Sequence, residues 1–224
     1  MDESPEIKAG RTMTGEGPAP SRAERREQQI QRIMEAAKLC FVRYGFQGAS
    51  MHEICAEAGM SPGALYRYFS SKEAIIEAIT AEDQREDVAT FQLMKGLPVV
   101  DGLVAVAMAH VRRIHQLGSA PLFAEIRAES MRNPIVARCC DEGMSQASAM
   151  VVPYIEAAAA RGEIRPVADP GVLTAMLMAL GQGLMLNDPL GQGFDAARIE
   201  AIVRAMTEAV IRPNMETKPN ASRE

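Results

Sequence analysis

One stretch, SMHEICAEAGMSPGALYRYFSSKE at residues 50–73, constrains the fold more than any other part of the chain. Ser50 and Glu53 have the spacing of a capping box, which predicts the start of a short helix. Gly59 predicts the end of that helix, because a residue without a Cβ atom turns the chain at little steric cost. The Ser-Pro pair at 61–62 is typical of a second helix start. Two short helices joined by a tight turn indicate a helix-turn-helix.

The second short helix has a surface that is unusual for a purely structural element. Leu65 and Phe69 are four residues apart and suffice to hold the helix to a core. Tyr66, Arg67 and Tyr68 remain for the rest of its surface. Tyrosine and arginine are common donors to phosphate, so this face favours contact with a nucleic-acid backbone. The alternative from periodicity alone is a helix hairpin whose tyrosines cover a core.

The segment AGMSPGALYRYFSSKE at residues 58–73 resembles the signature of the TetR family of bacterial one-component regulators. In that family the pattern is A-G-hydrophobic-S-x-G-x-L-Y-x-Y/H-F-x-S/N-K-E. The resemblance extends over about residues 25–78 and is specific, because many positions match at fixed spacing. Ser70 departs from the pattern where the family often has lysine, which removes one expected phosphate contact per subunit. Cys55 stands where alanine is common and is interpreted as a small core substitution.

The predicted fold class is all-α, with about nine helices. The resemblance implies a three-helix helix-turn-helix DNA-binding domain at 21–70 and a larger helical ligand-binding and dimerisation domain at 71–212. Flexible tails are predicted at 1–20 and 213–224, where apolar periodicity is absent. The composition agrees, because 47% of residues are hydrophobic but only 4% are aromatic, and there is no tryptophan.

Apolar periodicity and helix breakers divide the rest of the chain into helices. Gly45 ends the first helix, and Phe46 is expected to fold back onto it. Pro153 lies inside a long helix and predicts a kink there. Asp195 begins the last helix, with Phe194 expected to form a hydrophobic staple. The predicted helices outside the helix-turn-helix cover 21–44, 71–95, 99–117, 122–132, 134–161, 170–187 and 195–211.

A cytoplasmic protein is predicted, and its charge distribution is compatible with DNA binding. The net charge of −5 does not exclude DNA binding, because basic residues concentrate in the first third of the chain. No signal peptide and no membrane-spanning run are predicted, so the four cysteines are expected to be reduced thiols. Cys139 and Cys140 also suggest a redox sensor, but adjacent helical side chains point about 100° apart. Neither a metal site nor a cofactor is predicted.

The resemblance assigns DNA contacts to nine residues. Those expected mainly to grip phosphates are Ser50, Ser61, Tyr66, Tyr68 and Lys72. Those expected to approach base edges are Pro62, Gly63, Ala64 and Arg67. Arg67 is the best candidate for reading a guanine, because one guanidinium donates two hydrogen bonds to that base. Phosphate anchoring is the alternative role for this arginine.

The C-terminal domain is expected to enclose a ligand cavity between helices four and eight. The predicted lining residues are Phe91, Met94, Met108, His115, Phe123, Met131, Met150 and Tyr154. Methionine is flexible and polarisable, so it adapts to varied apolar ligands. A methionine stripe at helical spacing is also ordinary core, and that alternative stays open for each residue. His115 and Arg127 are the candidates for a polar contact.

The last two helices are expected to pair with their copies in a homodimer. They carry more apolar surface than one core needs. The predicted interface residues are Leu173, Met176, Leu177, Leu180, Leu184, Ile199, Ile202, Val203 and Met206. A dimer presents two recognition helices about one turn of DNA apart and reads a palindrome. A buried helix pair inside a monomer is the alternative.

The predicted function is a sequence-specific DNA-binding regulator. The form favoured is a homodimeric repressor on a palindromic operator, released by a small, largely apolar ligand. The alternatives are an activator, or a helical small-molecule-binding protein whose DNA binding is lost or altered. An enzyme is not predicted, since no paired-carboxylate motif, nucleophile elbow, phosphate-binding glycine loop or metal constellation is found.

Overall fold

The structure, a computed structural model, describes residues 21–214, so the predicted flexible tail at 1–20 and all but the first two residues of the one predicted at 213–224 lie outside the described residues. Within this range the chain is helical, with a 3₁₀ turn at Gln92–Met94 and no strand. The all-α prediction is therefore confirmed. The nine helices between residues 21 and 214 are α1 Arg22–Gly48, α2 Met51–Glu57, α3 Pro62–Leu65, α4 Lys72–Phe91, α5 Val99–Leu117, α6 Ala120–Ser130, α7 Pro134–Ala160, α8 Pro170–Asn187 and α9 Ala196–Ile211.

Serine caps begin each of the first four helices. Ser21, Ser50, Ser61 and Ser71 each accept a hydrogen bond from the amide three residues further on, at 3.2–3.3 Å. At Ser50 the capping box is complete, because the Glu53 carboxylate accepts from the Ser50 amide at 2.7 Å. Each cap satisfies an amide that the first turn of a helix leaves free. The helix starts predicted from these serines are therefore present.

Gly45 breaks the path of α1. Its φ of +70° and ψ of 163° are non-helical, and a short helical turn then continues to Gly48. The break turns Phe46 into the core, where its ring centroid lies 5.2 Å from that of Phe41. The expected fold-back of Phe46 is present, although the helical assignment runs past the predicted end at Tyr44.

Two groups of buried side chains form the interior. The N-terminal core unites α1, α2, α3 and the first half of α4. It also takes Leu122 and Ile126 from α6 and Val136 from α7. The C-terminal core draws on the end of α4 and on α5, α7, α8 and α9. Helices α6 and α7 therefore join the helix-turn-helix to the body, while the domain division at residue 70 stays a prediction.

Three local details differ from the sequence expectations. The recognition helix α3 is helical only to Leu65, and hydrogen-bonded turns carry the chain on to Phe69. Helix α4 ends at Phe91 in a 3₁₀ turn, and Gly96, with a φ of +75°, redirects the chain toward α5. Phe194 is 61% exposed, so the predicted staple before α9 does not bury its aromatic partner.

Helix α8 is long and more apolar than the sequence analysis predicts. Its 18 residues have a mean hydropathy of 1.2, so by length and composition alone it is able to cross a membrane. The expectation that no run is long enough is thereby corrected, although one such helix is weak support for a membrane segment. Only 11% of the helix is buried within the subunit. Most of its apolar surface is therefore left uncovered by the rest of the subunit.

Candidate nucleic-acid interface and ligand cavity

The turn between α2 and α3 is held from both sides. Gly59 has a φ of +60°, a conformation that favours glycine, and Arg32 of α1 reaches its carbonyl at 3.4 Å. Ile54, Leu65 and Phe69 are buried and attach both short helices to the N-terminal core. The remaining face of α3 is consequently presented outward on a rigid support.

The outward face of α3 carries most of the predicted DNA contacts. Ser61, Pro62, Gly63 and Arg67 are exposed, as is Tyr66 with 55% of its surface. A Cβ atom placed on Gly63 would meet nothing within 4 Å, so this position faces open space. Within residues 21–214, the Arg67 guanidinium has neither an ion pair nor a hydrogen bond. It is therefore free to bind a phosphate or a base edge.

The other predicted contacts have more varied surroundings. Ser50 is exposed at the cap of α2, while Ala64 and Tyr68 are partly buried, and Tyr68 packs against the N-terminal core. The Lys72 ammonium lies 2.7–3.3 Å from the carbonyl oxygens of Phe46, Gln47 and Ala49. All three of its N–H donors therefore have partners in the protein. Its part in DNA binding stays a prediction, and its observed contacts stabilise the end of α1.

Exposed positive charge is concentrated on α1, at the end of the molecule that carries the helix-turn-helix. The exposed side chains of Arg22, Arg25, Arg26 and Arg32 lie along α1. Exposed positive charge near the recognition helix attracts phosphate and supplies sequence-independent affinity. The body has the opposite character at α4, where Asp83, Glu86 and Asp87 surround Arg113 at 2.7–3.3 Å. The negative net charge is thus compatible with a basic DNA-facing end.

The body contains a partly open cavity of about 550 Å³, a volume typical of small-molecule sites. Side chains from α1 and from α4–α9 line it. Apolar residues form most of the wall, among them Phe91, Val106, Ile114, Phe123, Val151 and Leu177. An apolar wall with a few polar groups is the usual arrangement for binding an organic molecule.

Of the eight residues predicted to contact a ligand, the structure brings two, Phe91 and Phe123, to the cavity wall. Met94 and Met108 are buried in the C-terminal core, and Met150 packs against it. Met131 is 86% exposed on the outside of the molecule. Three of these methionines therefore lie in or against the core, and Met131 lies on the surface. Their positions around the helices direct the side chains away from the cavity.

The two polar residues of that predicted set also lie outside the cavity wall. His115 lies on the exposed side of α5, with its Nδ1 atom 3.3 Å from a carboxylate oxygen of Asp188. The Tyr154 hydroxyl donates to the carbonyl of Leu97 at 2.9 Å and tightens the entry to α5. A Cβ atom on Gly102 would collide with that hydroxyl, so Tyr154 is closely packed. Both residues have structural partners instead.

Sequence reasoning missed a polar network in the cavity wall. Arg113 of α5 contacts Asp87 at 2.9 Å, and the same carboxylate lies 3.1 Å from Nε2 of His110. Asp83 lies one helical turn before Asp87 and 3.3 Å from Arg113. Burial raises the pKa of Asp83, while the positive charge of Arg113 opposes that rise. The signal was the i, i+4 spacing of the two aspartates on α4, opposite an arginine and a histidine on α5.

The cysteine pair belongs to the cavity wall as well. Cys139 is buried, Cys140 is partly buried, and both line the cavity as free thiols. Burial raises the pKa of Cys139, so its reactive thiolate form is disfavoured at neutral pH. A redox role for this pair stays a prediction. Among residues 21–214, no group of three His, Cys, Asp or Glu side chains is arranged to hold a metal ion.

The predicted dimer residues divide into three groups. Leu173, Ile199 and Val203 are buried in the subunit's own C-terminal core, because they face inward from α8 and α9. Leu177, Leu180 and Leu184 are partly buried and line the cavity. Exposed apolar side chains remain at Met176, Ile202 and Met206, the first two more than 60% exposed. These three, with the neighbouring Val172, Ala175, Ala179, Leu186, Ala205 and Ala209, form the α8–α9 stripe.

Helix α6 touches both the cavity and the helix-turn-helix. Phe123 and Arg127 line the cavity, whereas a Glu125 oxygen accepts from the Phe46 amide at 2.5 Å. Glu129 is completely buried, and its carboxylate accepts from the Gln47 side chain at 2.7 Å and from Arg132 at 2.5 Å. The carboxylates of α6 therefore hold the end of α1 that precedes the helix-turn-helix.

Comparison with known proteins agrees with this geometry at both ends of the chain. Residues 33–79 match the family description "Bacterial regulatory proteins, tetR family", and residues 116–212 match "BetI-type transcriptional repressor, C-terminal". The transcriptional regulator UidR of Escherichia coli K12 is 36% identical over 159 residues, which are 70% of this chain and 79% of UidR. The chain belongs to the TetR family.

Solved structures support the assignment. The chain resembles GusR of Salmonella enterica with a TM-score of 0.72 and 33% identity, over 83% of this chain and 96% of GusR. The regulator FadR of Bacillus halodurans has a TM-score of 0.71 at 17% identity, over 83% of this chain and 97% of FadR, which shows the shared fold alone. As a TetR-family member with an intact helix-turn-helix, the protein is a DNA-binding transcriptional regulator. The resemblance predicted from the motif is confirmed.

Proposed function

We propose that this TetR-family protein is a homodimeric repressor that binds a palindromic operator and is released when a small molecule occupies the cavity. One observation carries the proposal: α6 lines the cavity with Phe123 and Arg127 and holds the base of the helix-turn-helix with Glu125 and Glu129. A ligand contact and a DNA-binding element therefore share one rigid helix. The cytoplasm, where the operator is found, is the proposed location.

The exposed face of α3 supports the DNA-binding half of the proposal. Tyr66 and Arg67 project from a short helix whose buried side is fixed by Leu65 and Phe69. Gly63 leaves open space, so a groove edge can approach the backbone there closely. Ser50, Ser61 and Tyr68 lie beside this face, where phosphate contacts would fix the orientation of the helix.

The α8–α9 stripe supports the dimer. Its exposed members on α8 recur at positions 172, 175, 176, 179 and 186, the spacing of one helical face. Gly183 adds bare backbone to this face, because a Cβ atom there would meet nothing within 4 Å. A continuous apolar face of this kind indicates an interaction surface. Pairing with the same face of a second subunit would form a four-helix contact with two-fold symmetry.

The coupling follows from the contacts of α6. A ligand that packs against Phe123 favours the position of α6 that best fits the occupied cavity. Movement of Glu125 would then displace the Phe46 amide and the end of α1, which carries the helix-turn-helix. The ligand can shift this equilibrium only by its difference in affinity for the DNA-competent and the released states. The two recognition helices would no longer match successive grooves.

The test begins by selecting bound sequences from a random duplex DNA pool with the full-length protein, followed by fluorescence anisotropy at fixed salt. We expect enrichment of a palindrome and nanomolar to micromolar binding of it. Arg67→Ala should weaken binding by about tenfold or more, the effect of losing one bidentate base or phosphate contact. Arg165→Ala, an exposed arginine beyond α7, serves as the matched control and should bind like the wild type.

Three outcomes would contradict the proposal. Failure of the selection to enrich any sequence would favour a small-molecule-binding protein that has lost DNA binding. Enrichment that is insensitive to Arg67→Ala would remove α3 from the interface. If transcription of a reporter carrying the selected palindrome rises when the protein is present, the protein is an activator and the repressor assignment is wrong.

A further inference from the structure

The charged groups of the cavity wall are nearly all neutralised by one another. Every carboxylate that lines the cavity lies within 3.3 Å of a basic nitrogen. The pairs are Glu35 with Lys38, Asp83 with Arg113, and Asp87 with both Arg113 and His110. The additional carboxylate beside Arg113, that of Glu86, is about half exposed and does not line the cavity. A ligand cation therefore finds no unpaired inward carboxylate.

Arg127 is the exception in this wall. It lines the cavity from α6 and is partly buried, yet no carboxylate between residues 21 and 214 forms an ion pair with it. Its guanidinium makes no hydrogen bond within that part of the chain either. A guanidinium without a carboxylate partner, placed beside Phe123 and other apolar side chains, favours binding of an anion. Its planar N–H donors fit a carboxylate, to which they donate two hydrogen bonds.

A second, independent observation concerns Thr174, which lines the cavity from α8. Thr174 of α8 is 1% exposed and lines the cavity, and its buried hydroxyl has no hydrogen-bond partner among the described residues. Buried hydroxyl groups are rarely left unpaired in native proteins. The neighbouring Thr207 differs, because its hydroxyl donates to the Val203 carbonyl at 2.8 Å. The free hydroxyl of Thr174 therefore indicates an oxygen or nitrogen acceptor on the ligand.

The two polar groups lie beside different cores, from which we infer that they are separated along the cavity. Ile126, next to Arg127, packs in the N-terminal core, whereas Leu173, next to Thr174, packs in the C-terminal core. Helix α8 lines the cavity from Thr174 to Met185, a rise of about 16 Å at 1.5 Å per residue. The wall between these ends is mostly apolar. A molecule that reaches both ends must be elongated and apolar in its middle.

We propose that the cavity binds an amphiphilic organic carboxylate. Its carboxylate pairs with Arg127, its apolar body lies along α8, and a polar atom near its far end accepts from Thr174. This inference rests on the proposed function insofar as the cavity is the site of the releasing ligand. The competing class, a lipophilic ammonium ion held by the carboxylates near Arg113, is an outcome of the test below.

Isothermal titration calorimetry of the DNA-free, full-length protein tests the charge of the ligand. The probes are dodecanoate, dodecanol and dodecyltrimethylammonium, each below the concentration at which it forms micelles. We expect dodecanoate to bind more tightly than the other two. Arg127→Gln should weaken dodecanoate binding by about tenfold or more and leave dodecanol binding unchanged. Arg112→Gln, a paired and exposed arginine of α5 outside the cavity wall, is the matched control.

The same assay with 12-hydroxydodecanoate tests Thr174. The added oxygen should improve binding about fivefold over dodecanoate in the wild type, the effect of one neutral hydrogen bond. Thr174→Val keeps the shape of the side chain but removes its hydroxyl, so the preference for the hydroxylated probe should disappear. Equal thermal unfolding midpoints of the variants and the wild type, or a higher one for Thr174→Val, exclude misfolding as the cause.

Several results would overturn the inference: equal binding of all three charge classes, preference for the ammonium ion, no binding of any probe, or dodecanoate binding that Arg127→Gln does not weaken. Because the assay contains no DNA, its outcome is independent of the operator experiment. Carboxylate binding without DNA release would overturn the proposed coupling and leave this inference standing. Operator binding without carboxylate binding would do the reverse.

Discussion

At the scale of single residues, Asp83 links the cavity wall to the pH dependence of stability. Burial raises its pKa in the folded protein. A raised carboxyl pKa means that stability is fully present below the unfolded value of about 3.9 and is lost as the pH rises through the folded pKa. We therefore expect the wild type to lose stability relative to Asp83→Asn as the pH rises from about 4 toward neutrality, measured by urea unfolding.

Glu53 provides a control of opposite sign. The hydrogen bond from the Ser50 amide lowers its pKa, so its stabilising effect is present above the unfolded value and is lost as the pH falls through the folded pKa. The stability of the wild type relative to Glu53→Gln should therefore increase as the pH rises. A parallel pH dependence of the two differences would contradict the assignment for Asp83.

At the scale of elements, the junction of α1, α2 and α4 depends on one ammonium group. Lys72 donates to three carbonyl oxygens at the end of α1 and lies 4.6 Å from the centroid of the Phe46 ring. Lys72→Met should lower the free energy of unfolding by about 1–3 kcal/mol, because buried carbonyls lose a charged donor. Chemical denaturation measures the change. Lys95→Met, at an exposed lysine, should stay within about 0.5 kcal/mol of the wild type.

Among the helices, the starts could be predicted from the sequence, but the contacts between helices could not. Helix starts were predictable where a serine, asparagine or aspartate cap meets apolar periodicity, as at Ser50, Ser61, Asn133 and Asp169. Lys72 shows the limit. Its partners are backbone carbonyls more than twenty residues away, which sequence spacing does not reveal, so it was predicted as a phosphate contact only.

The cavity was harder to predict than the helix-turn-helix, for a physical reason. A methionine on a helix faces core, solvent or cavity according to a rotation of a few tens of degrees, which is fixed by tertiary packing. Met108 and Met131 ended in the core and in solvent, respectively. Arg113 and Asp87 meet across two helices to build the polar wall. The spacing of the aspartates marks one face of α4, but no local sequence signal shows which helix packs against that face.

At the scale of the whole molecule, the α8–α9 stripe predicts a dimer that charge can disrupt. Met176→Glu combined with Ile202→Glu places charges of one sign at two of its most exposed apolar positions. Burying unpaired charge opposes association, so we expect sedimentation velocity to show a shift from dimer to monomer at micromolar protein. Leu93→Lys, an exposed leucine in the 3₁₀ turn outside the stripe, is the control and should stay dimeric. A double variant that remains dimeric would place the interface elsewhere.

Helix α8 has two working surfaces, one that lines the cavity with Leu177, Leu180 and Leu184 and one that carries Met176 and the stripe. In the proposed dimer, ligand binding and subunit association would both act on α8, so each equilibrium would bias the other. The effector sensitivity of a cell would then depend on how many copies of the regulator it makes. A low-copy cell, in which a larger fraction of the subunits is free, and a high-copy cell would respond to different effector concentrations with no change in the protein's sequence.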